Sequence, residues 1–169
     1  ISPSAIILER PDVKSQLIKY LSIGSKIKVM SFKNSWAKIK LFKKISYQYA
    51  YVSKFHIINK QIIIKDWVKM ALSLIGTPYR WGGRTSRGMD CSALLQISMS
   101  FAGFELPRDS IDQYNFFEKS DLFSTKKILK DDYQFKRGNI LYWKGHIAIM
   151  KSQTEAIHSS GFHNSILTE

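Results

Sequence analysis

The first 60 residues alternate between apolar and polar side chains in short stretches. Residues 26–29 place lysines on even positions and apolar residues on odd ones, and residues 37–41 repeat this pattern. Because successive strand residues point to opposite faces, each stretch predicts a strand with one buried face. The polar residues 33–35 predict a turn joining them, and residues 47–52 predict a third strand. Several strands in so short a region favour a small antiparallel β-barrel.

Beyond residue 65 the spacing of the apolar residues becomes that of a helix. The pattern predicts one helix over residues 66–74 and a second over residues 91–102, with a glycine-rich loop at residues 81–88 between them. Asp109 is the expected N-cap of a third helix, because its carboxylate can accept the free amides of the first turn.

The last 50 residues return to strand patterns. Residues 119–137 are polar and predict a surface loop, and the apolar runs at residues 140–143 and 147–150 predict a hairpin. A further strand is expected to begin at residue 156. Residues 165–168 are the start of another, so we expect the natural chain to continue its sheet beyond Glu169.

Composition narrows the class of protein. The chain has 169 residues, of which 44% are hydrophobic and 23% charged, as in ordinary globular domains. No apolar run approaches the roughly 18 residues that a membrane-spanning helix needs. One cysteine excludes an intramolecular disulfide, and the absence of a second cysteine or an H-E-x-x-H sequence argues against structural zinc. The glycine-rich loop fits neither common nucleotide-binding fingerprint, so no cofactor and no metal are expected.

Positive charge is concentrated at the front of the chain. Residues 1–60 hold 12 Lys and Arg against two acidic residues, giving +10, whereas residues 61–169 hold 14 against 11. Such a change indicates a domain boundary near residue 60 and either attraction to an anionic partner or simple solubilisation by lysine. Trp36 shares a predicted face with Lys38 and Lys40, which marks either a ligand or domain-contact groove or packing under a loop. Nucleic acid is the least favoured partner, because no base-reading motif follows.

Cys91 stands at the predicted start of the second helix. Free amides and the positive end of the helix dipole stabilise a thiolate there, so we expect a lowered pKa for the thiol. The same amides could hold the oxyanion that forms when sulfur attacks a carbonyl group. The alternative is a buried cysteine without chemistry.

Two of the four histidines can serve that sulfur. His146 begins one predicted strand and His158 lies at the end of the next. If the strands are adjacent and antiparallel, one ring can accept the thiol proton while the other orients it. His56 and His163 are expected to be incidental. Spacing alone leaves open that His146 only caps a turn or that another polar group replaces His158.

At this point several blocks of sequence become recognisable as a set. They read GTPYRWGG at 76–83, GMDCS at 88–92, LPRDS at 106–110, GNILYW at 138–143, GHIAI at 145–149 and IHSSGFH at 157–163. In this order, and with Gln113, they closely resemble the NlpC/P60 family of cell-wall peptidases over residues 66–169. The basic front region is similar to the bacterial SH3 domain that often accompanies such enzymes.

The resemblance implies an α+β chain, with a small SH3-like β-barrel over residues 1–60 followed by a papain-like catalytic domain over residues 61–169. In the catalytic domain it implies that the helix of the nucleophile packs on an antiparallel sheet. In that domain it implies Cys91 as nucleophile, His146 as general base and His158 as the residue that orients the base. It further implies supporting site residues. These are Tyr79 near the oxyanion, Asp90 and Ser92 holding the free amino group of a stem peptide, and Trp81 and Arg108 as candidate substrate contacts.

Each of the supporting residues also has a purely structural interpretation. Tyr79 and Trp81 could be core aromatics, Asp90 could be only the N-cap of its helix, and Arg108 could lock the following helix. Two departures from the family pattern are visible, Ala93 in place of glycine and residues 137–139 in place of Pro-Gly-Asp. We expect neither change to abolish activity, because a helix tolerates alanine and the turn is structural.

The resemblance also implies a function. We expect a monomeric cysteine endopeptidase that cuts the γ-D-Glu–diamino acid bond of peptidoglycan-derived peptides through a thioester, without a cofactor. One alternative is a wall-binding module with an idle catalytic domain, and another is a papain-like acyltransferase. Cytoplasmic location is expected, or periplasmic or secreted location if a signal peptide has been removed.

Overall fold

The computed structural model describes residues 3–43, 46–128 and 133–169. The chain divides into two compact units, Ile1–Ile62 and Ile63–Glu169. The division falls two residues after the charge change seen in the sequence. Residues 129–132 of the predicted surface loop lie outside the described residues.

The first unit is a five-stranded antiparallel sheet in the order β2-β1-β5-β4-β3. The strands are β1 (Ser4–Leu8), β2 (Leu17–Ser22), β3 (Val29–Lys33), β4 (Trp36–Lys43) and β5 (Ser46–Ser53), and a short 3-10 helix spans Lys54–His56. Alternation along β4 is confirmed, since Ala37 and Ile39 are fully buried while Lys38 and Lys40 are partly exposed. Ile7, Ala50 and Val52 from neighbouring strands complete this core.

The predicted strand at residues 26–29 is displaced. The turn at residues 34–35 pairs Lys33 with Trp36, and the ladder then runs outward to Val29, where a bulge interrupts it. Residues 26–28 therefore lie outside the strand, although Lys28 still accepts one backbone hydrogen bond. The turn is stable because Asn34 tolerates its positive φ of 54°. The start of β3 is therefore set by the pairing register, which is counted from the turn. The alternation of apolar and polar residues at 26–29 does not set it.

The second unit combines helices with antiparallel sheets. Its helices are α1 (Val68–Leu72), α2 (Cys91–Ser100) and α3 (Ser110–Glu118). Its strands are β6 (Arg84–Thr85), β7 (Gly88–Met89), β8 (Ile140–Trp143), β9 (His146–Met150), β10 (Ala156–Ser160) and β11 (Ser165–Thr168). The larger sheet has the order β11-β10-β9-β8, and α2 packs on β9 and β10. The predicted α+β class is confirmed.

Helix α2 forms the centre of the second core. Leu94, Leu95 and Ile97 are almost fully buried, and they face a sheet that contributes Ile149 and Ile157. Burying side chains of this size stabilises the fold by about 1.5–3 kcal/mol each. Because these residues fix α2 on the sheet, they also fix the residue at which α2 begins.

The predicted helix boundaries differ by a few residues from those observed. Helix α1 is shorter than the predicted 66–74, and α2 ends at Ser100. Asp109 is the N-cap of α3, but its carboxylate makes no capping hydrogen bond. None of the helices that the structure describes combines the length and hydropathy needed to cross a lipid bilayer.

Candidate active site

Cys91 is the first residue of α2 and follows an extended residue. Asp90 caps the helix with φ −94° and ψ 178°, and its carboxylate accepts the Ala93 amide at 2.9 Å. The loop before it requires glycine, because a Cβ on Gly83 would lie 2.5 Å from the Gly88 carbonyl oxygen. This close backbone packing positions the start of α2. At that position Cys91 is only 8% exposed.

Hydrogen bonding from nearby backbone lowers the pKa of the Cys91 thiol. The largest such effect comes from Ile147 on β9, and smaller ones come from Ser92 and Cys91 at the start of α2. Burial raises the pKa of the thiol and outweighs these hydrogen bonds, and the charge of Asp90 raises it further. The predicted lowering of the pKa is therefore wrong. The donors at the helix start are present, but desolvation by the surrounding core has the larger effect.

His146 and His158 form a hydrogen-bonded pair beside this helix. Nε2 of His146 lies 2.7 Å from Nδ1 of His158, and the rings are almost perpendicular. Helix α2 packs on both strands that carry the pair, and His146 directly precedes Ile147, whose backbone lowers the pKa of Cys91. The prediction that adjacent antiparallel strands bring the two histidines together is confirmed.

The strands β9 and β10 separate where the two rings meet. Their ladder contains the pairs Ala156–Met150 and Ile157–Ile149, and beyond them β10 pairs only with β11. The buried Ser159 hydroxyl donates to the Met89 carbonyl at 2.6 Å, which holds β10 against the segment before Cys91. The ladder between β9 and β10 thus ends before it reaches the two histidines.

The electrostatics of the pair favour a neutral base. Burial lowers the pKa of His146, and the neighbouring His158 lowers it further, whereas Glu169 raises it. The raised pKa of Cys91 and the lowered pKa of His146 both favour the uncharged forms, a thiol and a neutral imidazole. We therefore expect proton transfer to accompany attack and not to precede it.

This protonation state has a measurable consequence. We expect the rate of Cys91 alkylation by iodoacetamide to rise through an inflection above that of an ordinary thiol, because only the thiolate reacts. The rate should be followed by mass spectrometry against pH, with glutathione in the same tube as reference. An inflection below neutral pH would show a preformed thiolate–imidazolium pair and contradict the assignment.

Tyr79 lies on a segment tied to both sides of the site. Its amide donates to Asn164 at 2.9 Å, and the preceding carbonyl, of Pro78, accepts the Met89 amide at 3.0 Å. The ring packs against Gly161. Burial raises the pKa of Tyr79, and Cys91 and Asp90 add to this effect when they are negatively charged, so the phenol remains a proton donor.

Asp90 and Arg108 form a buried ion pair. Nη2 of Arg108 lies 2.6 Å from Oδ2 of Asp90, and Nη1 donates to Oδ1 at 3.0 Å and to the Ser92 hydroxyl at 2.9 Å. The Gly82 amide also donates to Asp90, at 2.9 Å. The sequence left open whether Arg108 binds substrate or locks the next helix. In the structure Arg108 bonds to residues at the start of α2, and both a role in locking the following helix and substrate binding by Asp90, Ser92 and Arg108 stay predictions.

Two tryptophans of the second unit are exposed to solvent. Trp81 is 82% exposed, so it is not a core aromatic. Trp143, which sequence reasoning did not nominate, is half exposed and its ring lies 4.9 Å from that of His146. Its position opposite His146 in the β8–β9 hairpin is the signal that could have identified it.

Glu169 was also missed. One carboxylate oxygen lies 3.6 Å from Nε2 of His158, and the other lies 3.0 Å from Nδ1 of His163. Nothing in the spacing of the sequence motifs points to this residue. Across the described residues, no group of three His, Cys, Asp or Glu side chains is arranged to hold a metal ion.

A family model decides the identity of the second unit. The model of the NlpC/P60 family matches residues 76–168, which contain Cys91, His146 and His158. The chain belongs to the NlpC/P60 family. The resemblance drawn from the sequence blocks is confirmed for this part, whereas the SH3-like identity of the first unit stays a prediction.

Named relatives of this NlpC/P60 chain are bacterial peptidases. Dipeptidyl-peptidase 6 of Lysinibacillus sphaericus is 33% identical over 105 residues, which cover 62% of this chain and 35% of the relative. The probable endopeptidase NlpC homolog of Haemophilus influenzae is 34% identical over 87 residues, covering 51% and 43%. The chain thus spans less than half the length of these curated relatives.

One solved structure is similar along nearly the whole NlpC/P60 chain. It is the crystal structure of an NlpC/P60 family protein from Bacillus cereus, with a TM-score of 0.75 and 21% identity. The match covers 99% of this chain and 55% of the other. At this identity the likeness concerns the fold.

Proposed function

We propose that this NlpC/P60 chain is a cysteine peptidase that hydrolyses peptidoglycan stem peptides through a thioester on Cys91. The observation that carries the proposal is the 2.7 Å His146–His158 pair on the two strands against which the helix that begins at Cys91 packs. A nucleophile, a base and a group that orients the base are the parts that acyl transfer requires.

The first half of the proposed reaction forms the thioester. His146 accepts the thiol proton while the sulfur of Cys91 attacks the carbonyl carbon of the peptide bond. The oxyanion lies near the amides at the start of α2, and the protonated Tyr79 phenol can donate to it. When the carbon–nitrogen bond breaks, the His146 imidazolium returns its proton to the leaving amine.

The second half consumes water. Neutral His146 takes a proton from a water molecule, whose oxygen attacks the thioester carbonyl. The carbon–sulfur bond breaks, Cys91 recovers its proton from His146, and the free carboxyl product departs. His158 keeps the ring of His146 in place through both halves, because their hydrogen bond fixes its orientation.

The choice of bond is supported by a relative's name. A gamma-D-glutamyl-L-lysine dipeptidyl-peptidase of Bacillus subtilis is 27% identical over 110 residues, covering 60% of this chain and 34% of the relative. We extend that bond class to this chain and propose the γ-D-Glu–diamino acid bond. We also propose the first unit as an SH3-like domain, on the basis of its antiparallel five-stranded sheet with the order β2-β1-β5-β4-β3.

The decisive experiment uses a defined tripeptide. We expect the chain to convert L-Ala-γ-D-Glu-meso-diaminopimelate into L-Ala-D-Glu and free diaminopimelate, observed by mass spectrometry. The α-linked isomer serves as matched control and should stay intact, because its scissile bond lies in a different position relative to the free amino group. A product carrying a new amide instead would indicate acyl transfer, and absence of turnover would refute the proposal in favour of an idle, wall-binding chain.

A further inference from the structure

Glu169 is held at a fixed place beside the histidine pair. Its backbone exchanges two hydrogen bonds with Ala156, at 3.0 and 2.7 Å, which extends the β10–β11 ladder by one residue. From this position one carboxylate oxygen faces His158 at 3.6 Å and the other contacts His163 at 3.0 Å. The Glu169 side chain therefore contacts His163 and lies close to the second ring of the pair.

The positions of the hydrogens on the two imidazole rings determine which hydrogen-bond partner His158 requires. A neutral His146 that accepts the thiol proton on Nδ1 must carry its own hydrogen on Nε2, the atom that faces His158. Nδ1 of His158 is then the acceptor, so the hydrogen of His158 lies on Nε2. That nitrogen is buried and has no hydrogen-bond partner among the described residues, although the Glu169 carboxylate lies just beyond hydrogen-bond distance.

We propose that Glu169 is a positioning residue that ends a chain running from Cys91 through His146 and His158. This rests on the proposed function, since it assigns His146 as the base. The carboxylate holds the hydrogen of His158 on Nε2, which leaves Nδ1 of His158 as acceptor and fixes the tautomer of His146. When His146 becomes an imidazolium, the negative charge at the end of the chain stabilises it. His163 restrains the carboxylate from the opposite side.

Other charged groups near the pair do not take this role. Asp90 acts on the sulfur, but Arg108 binds both of its carboxylate oxygens. The Tyr79 phenol is neutral, because its pKa is raised. Within the described residues, Glu169 is the carboxylate that acts on the pair, and its charge raises the pKa of His146.

The expected size of the effect follows from distance and exposure. In serine protease triads, removing the carboxylate charge that contacts the base directly lowers kcat by about 10⁴-fold. Glu169 acts through an intervening ring, and its side chain is 51% exposed, so water screens its charge. We therefore expect about a three- to tenfold loss of kcat when the charge is removed.

The test compares three variants at matched positions. We expect Glu169→Gln to lower the plateau kcat for the tripeptide without changing KM, and to move the acid limb of the pH profile to lower pH. The limb moves downward because removing the negative charge lowers the pKa of His146. Glu169→Asp should restore the limb to its wild-type position. Glu155→Gln, which removes an exposed carboxylate paired with Lys151, should match the wild type.

The outcomes separate positioning from stability and from the function itself. A Glu169→Gln enzyme with wild-type kcat and an unmoved acid limb would overturn the proposal. So would a loss of kcat that follows a fall in Tm while the limb stays in place. If the wild-type chain cleaves nothing, the proposed function fails, and the His146 titration is followed by ¹⁵N NMR instead. A midpoint that does not fall in Glu169→Gln then overturns the inference independently of turnover.

Discussion

Replacing Cys91 by serine is expected to lower kcat/KM for the tripeptide by about 10⁴-fold or more. Serine has almost the same shape, so the packing of α2 is preserved. Its hydroxyl is far less acidic than a thiol, and a His146 whose pKa is lowered is a weak base for it. The measurement is steady-state hydrolysis, with the fold checked by circular dichroism.

Ser98 provides a matched control for this substitution. It lies on the same helix and is fully buried, and its hydroxyl has no hydrogen-bond partner among the described residues. Ser98→Ala removes an unsatisfied polar atom, so it should leave activity unchanged and raise the free energy of unfolding by up to about 1 kcal/mol. A Cys91→Ser enzyme that stays within about tenfold of the wild type would remove the sulfur from the mechanism.

Arg108→Gln is expected to lower the free energy of unfolding by about 2–3 kcal/mol. The substitution leaves the Asp90 carboxylate, whose side chain is 10% exposed, without its cation. Breaking a buried pair by removing one partner usually costs about 3–5 kcal/mol, and we reduce this because a third of Arg108 is in contact with solvent. Urea unfolding monitored by circular dichroism gives the value.

Arg137→Gln is the comparison for that loss. Arg137 makes two similar hydrogen bonds to Asp66, at 3.1 and 3.0 Å, but both side chains are well exposed. An exposed pair of this kind contributes about 0–1 kcal/mol. Equal losses in the two variants would mean that burial of Asp90 does not decide the energy and that the capping network around it is dispensable.

The sequence predicted which residues form the site better than it predicted the environment of those residues. The helix start at Cys91 and the closeness of His146 and His158 could be predicted, because capping and strand alternation are local properties. The direction of the thiol pKa could not, since burial of Cys91 depends on the packing of α2 against a sheet formed 50 residues later. The role of Asp90 as the centre of an ion pair was equally hidden, because Arg108 comes from a separate segment.

Tertiary contacts also explain the elements that were missed or displaced. Strands β1 and β2 went unpredicted, although they form one side of the first sheet. The strand expected at residues 26–29 moved because hairpin pairing is counted from the turn. The separation of β9 and β10 depends on Ser159 bonding to Met89, 70 residues earlier, and no local pattern encodes such a contact.

The divergence of β9 and β10 sets which part of the site can move at low cost. Small rotations of the outer half of β10 would widen or narrow the gap between β9 and β10 without disturbing the paired residues Ile149 and Ile157. The Ser159–Met89 bond would transmit such a rotation to the residue two positions before Cys91. His158 and the segment that leads to Cys91 would then move together when a peptide enters, while His146 would keep its place on β9.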